Sequence, residues 1–146
     1  MNDFLEAMSA ALTGVTVVTT AGPIGRTVSA MCSVSADPPL LLVAVRSASP
    51  LRAAIARHGT FAVHVLGAGQ SAVADAFAGR GGEPDFDALA GAAAFFACDV
   101  AALQPAGTHT VILGAVRVAR PGDAPALGYS RRSYCHISVG DPVLTT

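Results

Sequence analysis

The sequence lacks lysine and tryptophan, and charged residues make up only 13% of its 146 residues. All nine basic residues are arginine, so a phosphate would have to be bound by arginine side chains, hydroxyl groups or backbone amides. The formal net charge of -1 gives no electrostatic basis for binding DNA or RNA. We therefore expect no nucleic-acid partner.

Signals for metal binding, export and membrane insertion are also missing. Cys32, Cys98 and Cys135 are widely spaced and form no Cys-x-x-Cys or Cys/His pattern, which predicts no metal site and fits a reducing compartment. The first residues lack the basic segment of a signal peptide. The longest run of large apolar residues, Leu40–Val45, has the length of a strand and is too short to cross a bilayer. These absences predict a cytoplasmic protein with no membrane partner.

Hydrophobic residues are abundant, at 52% of the chain. Its length fits a single domain, which we expect to cover residues 1–146 with an ordered core from about 4 to 138. The tail from Gly140 is polar, and we expect it to be frayed. Excess apolar surface on a domain of this size is typical of an oligomer interface.

The most informative stretch runs from Arg26 to Pro39. Its residues alternate strictly between two faces, which predicts extended chain. One face carries Val28, Ala30, Cys32, Val34 and Ala36, and the other carries Thr27, Ser29, Met31, Ser33 and Ser35. The second face consists almost wholly of hydroxyls, whereas a solvated strand face normally mixes charged and polar residues. A row of hydroxyls after an arginine suits an oxygen-rich ligand; the alternative is an edge strand with no ligand.

A second anion-binding signal follows this stretch. Ser49 and Pro50 predict a helix start, with a hydroxyl N-cap and proline at the first helical position, and Gly59 predicts its end. Free N–H groups and the positive end of the helix dipole would attract a phosphate there. The hydroxyl run would extend about 26 Å at the strand rise, which is too long for one phosphate. We therefore expect two contact sets on an elongated ligand, namely Thr27 with Ser29 and Ser33 with Ser35.

The rest of the chain predicts a mainly β protein with short helices. Helices are predicted over residues 3–12 and 70–78 in addition to the one at Ser49, together with about six or seven strands. Leu40–Val45 is predicted to be a strand buried on both faces. Most neighbouring strands are close enough in sequence for antiparallel pairing. Helices inserted into such a sheet predict a small closed or split barrel rather than an alternating βαβ stack.

Residues 67–72, with the sequence Gly-Ala-Gly-Gln-Ser-Ala, match the dinucleotide-binding fingerprint and suggest a different fold. They follow a strand and open a helix, as that fingerprint requires. The fingerprint also needs a second parallel strand that ends in an acidic residue about twenty residues on. Here that position falls in a Gly/Pro loop, at Asp85 and Asp87. A tight turn is therefore the better interpretation of the glycines.

Two side chains are candidates for a reaction centre, and each has a simpler alternative. His109 follows a Gly-Thr turn at the start of a strand, where an imidazole can point into a cavity; the alternative is a surface histidine in a hairpin. Tyr134 lies shortly after Arg131 and Arg132, and its alternative is likewise a surface residue of a hairpin. The two arginines are explained equally well as a solvated pair with no ligand. No serine-nucleophile motif and no suitably placed pair of carboxylates is present, so hydrolysis has no support.

Six motifs follow one another in a fixed order within residues 4–137. They are Gly14-Val-Thr-Val-Val-Thr-Thr20, Thr27-Val-Ser-Ala30, Ser33-Val-Ser-Ala-Asp-Pro-Pro39, Phe61-Ala-Val-His-Val-Leu66, Phe77-Ala78 and Gly107-Thr-His109. This order resembles the short-chain flavin reductases, the reductase components of two-component flavin-dependent monooxygenases. The resemblance implies an FMN-binding split β-barrel of Greek-key type that is usually a homodimer. It also implies that the protein reduces FMN or FAD with NADH or NADPH and passes the reduced flavin to a separate oxygenase.

The resemblance also implies roles for individual residues. His109 would face the flavin and the nicotinamide as the catalytic residue. The implied flavin contacts are Thr27, Val28, Ser29, Ala30, Ser33, Val34, Ser35, Ala48, Ser49, Pro50, Phe77 and Ala78, with Arg80 beside the last pair and Tyr134 near the same site. Arg26, at the head of the hydroxyl run, completes the predicted cofactor-binding set.

Two departures from the family pattern bear on activity. The turn reads Gly-Thr-His rather than Gly-Asp-His, so a carboxylate is missing beside the site of hydride transfer. The segment between Phe86 and Phe95 is shorter than is usual in the family. Two alternatives therefore stay open: a flavin-binding redox or carrier protein without efficient NAD(P)H turnover, and a degenerate structural subunit.

Overall fold

The computed structural model describes residues 2–137, which form ten strands, three α-helices and one 3-10 helix. The strands are β1 (Thr13–Gly14), β2 (Thr16–Thr20), β3 (Ile24–Val28), β4 (Met31–Ala36), β5 (Pro39–Arg46), β6 (Thr60–Val65), β7 (Ala94–Ala106), β8 (His109–Pro121), β9 (Leu127–Ser130) and β10 (Ser133–His136). The helices are α1 (Asp3–Ser9), α2 (Pro50–His58), α3 (Ser71–Phe77) and the 3-10 helix Phe86–Gly91. The predicted frayed tail from Gly140 lies outside the described residues.

Seven strands form one antiparallel sheet in the order β3-β2-β6-β7-β8-β5-β4, and β1, β9 and β10 form a second sheet. Strands β3 and β4 occupy opposite edges of the large sheet, yet only Ser29 and Ala30 separate them in the chain. The three steps from Val28 to Met31 span at most about 11 Å, so the two edges must come together at this point. The Ala44 N–H donates to the Ala30 carbonyl at 3.0 Å and holds the junction. The sheet is thus curled into a split barrel, which confirms the predicted fold class.

Two apolar cores lie on opposite sides of the barrel wall. Successive residues of β2 point to different sides, so Val18 packs inside the barrel while Val17 packs outside it. The inner core includes Leu51 and Ile55, because α2 lies against the barrel interior. The outer core includes Phe77 of α3 and Leu127 of β9. Helix α3 and the small sheet therefore cover the outside of β2 and β3.

The stretch from Arg26 to Pro39 is not the single strand that its alternation predicts. It forms the end of β3, a two-residue link, all of β4 and the start of β5. Of the predicted apolar face only Val28 is buried, whereas Val34 is 50% exposed. The reason is that β4 is an edge strand with an irregular register between Ser33 and Ser35, and nothing within residues 2–137 covers its outer face.

Other sequence expectations hold to different degrees. The prediction for α2 is confirmed, since the Ser49 side chain caps its start and Gly59 ends it with a φ of 73°. Residues 40–45 alternate between buried and half-buried instead of being buried on both faces, because only one face of β5 packs against the core. The 3-10 helix was not predicted. No helix of residues 2–137 has both the length and the apolar character that a membrane span requires.

Helix α1 is shorter than predicted, and the apolar face expected of it is exposed to solvent. None of its residues is buried, and Phe4 and Met8 are 71% and 52% exposed. The end of the helix is tied to the end of β9, where the Ser130 hydroxyl donates to the carbonyl of the C-cap residue Ala10 at 3.3 Å. Its apolar side chains therefore lie outside both cores.

Candidate functional site

Two adjoining cavities contain most of the predicted site residues. We call the first the histidine cavity; it measures about 190 Å³ and is lined by residues 26–30, 44–46, Ser49, Leu51 and His109. We call the second the tyrosine cavity; it measures about 170 Å³ and is lined by Val15, Thr27, Ser29, Ala78, Arg80, Tyr129 and Tyr134. Both are lined by Thr27 and Ser29. The end of β3 and the link that follows therefore form the boundary between them.

Thr27 and Ser29 differ in what their hydroxyls can offer. The Thr27 hydroxyl donates to the Ala74 carbonyl of α3 at 2.6 Å, so it can only accept a hydrogen bond from a ligand. Ser29 is exposed, and its hydroxyl bonds to nothing else within residues 2–137. Thr27 thus fixes β3 against α3, while Ser29 offers both a donor and an acceptor to the cavities.

The start of α2 does not offer the free N–H groups that the sequence predicts. Pro50 has no N–H, and the Leu51 N–H donates to the Ser49 hydroxyl at 3.1 Å. The N–H groups of Arg52 and Ala53 lie 3.1 and 3.4 Å from the Ser49 carbonyl oxygen, to which they donate. The helix satisfies its own first turn, so only the positive end of its dipole remains to attract an anion.

Two guanidinium groups can bind an anion in place of these occupied backbone amides. Arg26 and Arg46 both line the histidine cavity, and neither forms an ion pair with a carboxylate of residues 2–137. Arg46 ends β5 opposite His109 in the antiparallel pairing with β8. Sequence analysis missed Arg46, although an arginine that ends an apolar strand just before a helix cap is a usable signal. The histidine cavity is thus suited to an anionic group.

His109 is half-buried and lines the histidine cavity from the start of β8. Its Nδ1 lies 2.9 Å from the Thr108 hydroxyl, so Thr108 orients the ring. Nε2 is the nitrogen left for a ligand. The threonine of the Gly-Thr-His turn therefore supplies a hydrogen-bonding partner at the position where the resemblance leads us to expect a carboxylate.

Tyr134 and Arg80 form one wall of the tyrosine cavity, together with Asp75 behind them. The Tyr134 hydroxyl donates to Asp75 Oδ1 at 2.6 Å, and Arg80 Nη2 donates to the Tyr134 oxygen at 3.2 Å. Burial, followed by the hydrogen bond to Asp75, raises the pKa of Tyr134. The hydrogen bond to Tyr134 is the main cause that raises the pKa of Arg80. The tyrosine is therefore held as a neutral phenol between a carboxylate and a guanidinium.

Residues 8–138 of the chain match the protein family described as the flavin reductase like domain. The chain belongs to this family. An FMN reductase (NADH) RutF 1 of Methylorubrum extorquens is 41% identical over 151 residues, covering 90% of this chain and 74% of that protein. The motif resemblance is thereby confirmed.

Solved structures of flavin reductases have the same fold. The Streptomyces globisporus C-1027 NADH:FAD oxidoreductase SgcE6, in complex with NAD and FAD fragments, superimposes with a TM-score of 0.87 at 30% identity, covering 95% of this chain and 93% of that one. The styrene monooxygenase flavin reductase from Pseudomonas putida S12 gives a TM-score of 0.84 at 25% identity, covering 95% and 99%.

Within this flavin reductase domain the structure brings together some of the predicted site residues and not others. Those that line one of the two cavities are Arg26, Thr27, Val28, Ser29, Ala30, Ser49, Ala78, Arg80, His109 and Tyr134. Those outside both cavities are Ser33, Val34, Ser35, Ala48, Pro50 and Phe77. The second contact set expected from the hydroxyl run therefore lies away from the first.

Phe77 is a member of the outer core of the flavin reductase domain. Its side chain is 1% exposed and meets the Phe86 ring edge-on, with centroids 5.0 Å apart. A Cβ atom placed on Gly25 would come within 3.1 Å of the Phe77 ring, so β3 approaches α3 closely here. The side chain supports the strand that carries Thr27 and does not line either cavity.

The glycines of residues 67–72 form a turn, as predicted. The Gly67 N–H donates to the Gln70 side-chain oxygen at 2.9 Å, and the following helix has only seven residues. Every strand pairing within residues 2–137 is antiparallel, so the dinucleotide-binding interpretation is ruled out for this part of the chain. The same residues contain no group of three His, Cys, Asp or Glu placed to hold a metal ion.

The segment between Phe86 and Phe95, which the resemblance predicts to be short for the family, lies beside a third hollow of about 420 Å³. Its polar lining comes from His64 and Arg120, and Phe86 and Phe95 form part of its apolar wall. His64 Nε2 lies 3.1 Å from the Thr19 hydroxyl, and burial lowers the pKa of this histidine. None of the predicted site residues lines this hollow.

Proposed function

We propose that the protein is an NAD(P)H:flavin oxidoreductase that transfers a hydride from NADH or NADPH to FMN or FAD. The observation that carries the proposal is the pair of cavities that meet at Thr27 and Ser29, with His109 in one and Tyr134 in the other. Relatives named as NADH-dependent FMN reductases, and a neighbour solved with NAD and FAD fragments, support it.

The residues present fit a flavin nucleotide. Each cavity alone is smaller than the roughly 300 Å³ at which ligand pockets usually begin, so a nucleotide-sized ligand has to occupy both. Arg26, Arg46 and the positive end of α2 would hold its phosphate. Ser29, at the boundary, would donate to the polar part of the ligand between the two ends.

The flavin supplies the hydride chemistry when it is bound, and the protein supplies binding and orientation. His109, with Nδ1 engaged by Thr108, presents Nε2 to the same cavity as the arginines. This nitrogen would orient the reacting rings and hold a hydrogen bond at their edge. No strong acid or base is needed for that role, which agrees with the lack of a carboxylate among the described residues that line the two cavities.

The proposal includes a homodimer and a separate oxygenase that receives the reduced flavin. The exposed apolar side chains of α1 support an interface between two copies, since Phe4 and Met8 would otherwise remain in water. The neighbour named as the flavin reductase of styrene monooxygenase supports an oxygenase partner.

One assay tests the proposed activity. The purified protein is mixed with FMN or FAD and with NADH or NADPH, and the loss of reduced-nicotinamide absorbance is followed. We expect turnover. Flavin binding without turnover would indicate a carrier, which the altered Gly-Thr-His turn would then explain. Absence of both binding and turnover would indicate a structural subunit.

The role of His109 is tested with His109→Ala, with His58→Ala as the matched control at the exposed end of α2. We expect His109→Ala to lower kcat by about 10- to 100-fold and to change flavin affinity less, because the ring acts on the reacting geometry. Equal kcat values for His109→Ala and the parent protein would rule out this role.

A further inference from the structure

Asp75, Arg80 and Tyr134 meet beside the tyrosine cavity and form what we call the rim cluster. In addition to the two hydrogen bonds of Tyr134, Arg80 Nε lies 3.4 Å from Asp75 Oδ1. The three contacts close a ring of side chains that come from α3, from the loop after it and from β10. A change in any one of the three alters the surroundings of the other two.

The rim cluster borders both the tyrosine cavity and an outer hollow of about 480 Å³. Arg80 and Tyr134 line both spaces, whereas Asp75 lines only the outer one. Tyr129 also lines both spaces, and Arg132 and Ser133 complete the outer hollow. Asp75 therefore does not line the tyrosine cavity itself, and its contacts to that cavity run through Arg80 and Tyr134.

The hydrogen bonds of the cluster decide what Tyr134 offers to a ligand. Its single hydroxyl proton goes to Asp75, and its oxygen accepts from Arg80. Because both are engaged, Tyr134 presents its ring to the cavity and not a free hydroxyl donor. The Tyr129 ring packs edge-on against it with centroids 5.4 Å apart, which fixes the ring from a second side.

We propose that Asp75 is a positioning residue that holds the Tyr134 ring and the Arg80 guanidinium as one wall of the flavin site. This inference rests on the proposed flavin reductase function. Asp75 is itself fixed relative to the cavity, because the neighbouring Ala74 accepts the hydrogen bond from Thr27 at 2.6 Å. Asp75 thus sets the affinity for the flavin without touching it.

A wall that contacts the flavin in the same way throughout the reaction contributes equally to ground-state and transition-state binding. Its loss raises KM and leaves kcat nearly unchanged. General damage to the fold would instead lower kcat and the melting temperature together. The division of the effect between KM and kcat therefore separates a positioning role from a structural one.

The experiment compares the parent protein with Asp75→Ala, Asp75→Asn and the control Asp99→Ala. Asp99 forms an ion pair with Arg117 at 2.9 Å, and neither residue lines the two cavities. We expect Asp75→Ala to raise the Kd and KM for FMN about five- to tenfold while kcat stays within about twofold. Asp75→Asn should restore most of the affinity, because its carboxamide oxygen still accepts the Tyr134 proton. Asp99→Ala should behave like the parent.

A second readout needs no flavin, because the chain has two tyrosines and no tryptophan. The ultraviolet absorbance of tyrosinate can therefore be followed against pH, with Tyr129→Phe used to assign the two transitions. Burial and Asp75 raise the pKa of Tyr134, and Arg80 acts against them, so Asp75→Ala should shift its transition to lower pH. Arg132 also lines the outer hollow, and it is present in both the parent protein and Asp75→Ala, so it does not cause a difference between their transitions.

Unchanged FMN affinity in Asp75→Ala would overturn the positioning role alone, whatever the tyrosinate transition does. An unshifted transition would overturn the hydrogen bond on which that role depends. A parent protein that binds neither FMN nor FAD would overturn the proposed function, and the role of the wall with it. Higher KM and a lower tyrosinate transition in Asp75→Ala, with both restored in part by Asp75→Asn, are the results that we expect.

Discussion

The two halves of the hydroxyl run have nearly the same sequence pattern and quite different surroundings. Thr27 and Ser29 lie at the boundary of the two cavities, where β3 is backed by α3. Ser33 and Ser35 lie on β4, an edge strand that contributes no residue to either cavity. Alternation thus reports extended chain equally well in both halves, and packing decides which half becomes part of a site.

Charge reinforces the difference between the halves. Arg26 stands at the head of the first half, and Arg46 faces the same cavity. The second half ends at Asp37, which carries the opposite charge. A ligand with a phosphate is therefore attracted to the first half.

The largest expected effect concerns the packing of β3 against α3. In Gly25→Val the new side chain would press on the Phe77 ring and on Thr19, which lie 3.1 and 3.0 Å from the position of an added Cβ. We expect the free energy of unfolding to fall by about 1–3 kcal/mol, as overpacking of a core does. Ala36→Val on exposed β4 is the matched control and should change it by less than about 0.5 kcal/mol. Equal melting temperatures for the two variants would show that β3 is no more tightly packed than β4.

The next effect concerns the charge at the head of the first half. Arg26→Ala should weaken FMN binding about tenfold, because a charge-assisted hydrogen bond to the phosphate is lost. The weakening should shrink as salt is added, since Arg26 is exposed and screened. Arg57→Ala, on the exposed end of α2, is the control and should leave the Kd unchanged. An unaltered Kd in Arg26→Ala would remove the arginine from the proposed phosphate site.

The smallest effect compares single hydroxyls of the two halves. Ser29→Ala should raise the Kd for FMN about two- to tenfold, the range of one neutral hydrogen bond. Ser33→Ala should have no measurable effect, because Ser33 lies outside both cavities. The Kd values are measured by the quenching of flavin fluorescence. A larger effect from Ser33→Ala than from Ser29→Ala would reverse the assignment of the two halves.

Local chemistry was sufficient to predict some of these features from the sequence. The bounds of α2 follow from Ser49, Pro50 and Gly59, since capping needs only the residues at the helix ends. The turn at Gly67 follows in the same way. The pattern of strands and inserted helices left a closed and a split barrel both open, and the family motifs favoured the split one. They also placed His109 in a cavity, which its position after a turn alone left open.

Other features depend on contacts between distant parts of the chain and have no local signal. The exposure of Val34 depends on β4 being the last strand of its sheet, which no residue of β4 encodes by itself. Asp75 meets Tyr134 across 59 residues, so nothing near Asp75 marks it. The start of α2 shows a further limit of reasoning from local sequence. The N-cap that marks the helix start also occupies a backbone N–H group there, so the same residue that predicts the helix reduces the donors left for an anion.

The most direct test of the account is a crystal structure of the protein with bound FMN. We predict that the flavin occupies both cavities and crosses the boundary at Thr27 and Ser29. Its phosphate should lie near Arg26 and Arg46, and His109 should lie beside the ring system. A flavin bound along Ser33 and Ser35, with Thr27 and Ser29 left free of it, would contradict the account.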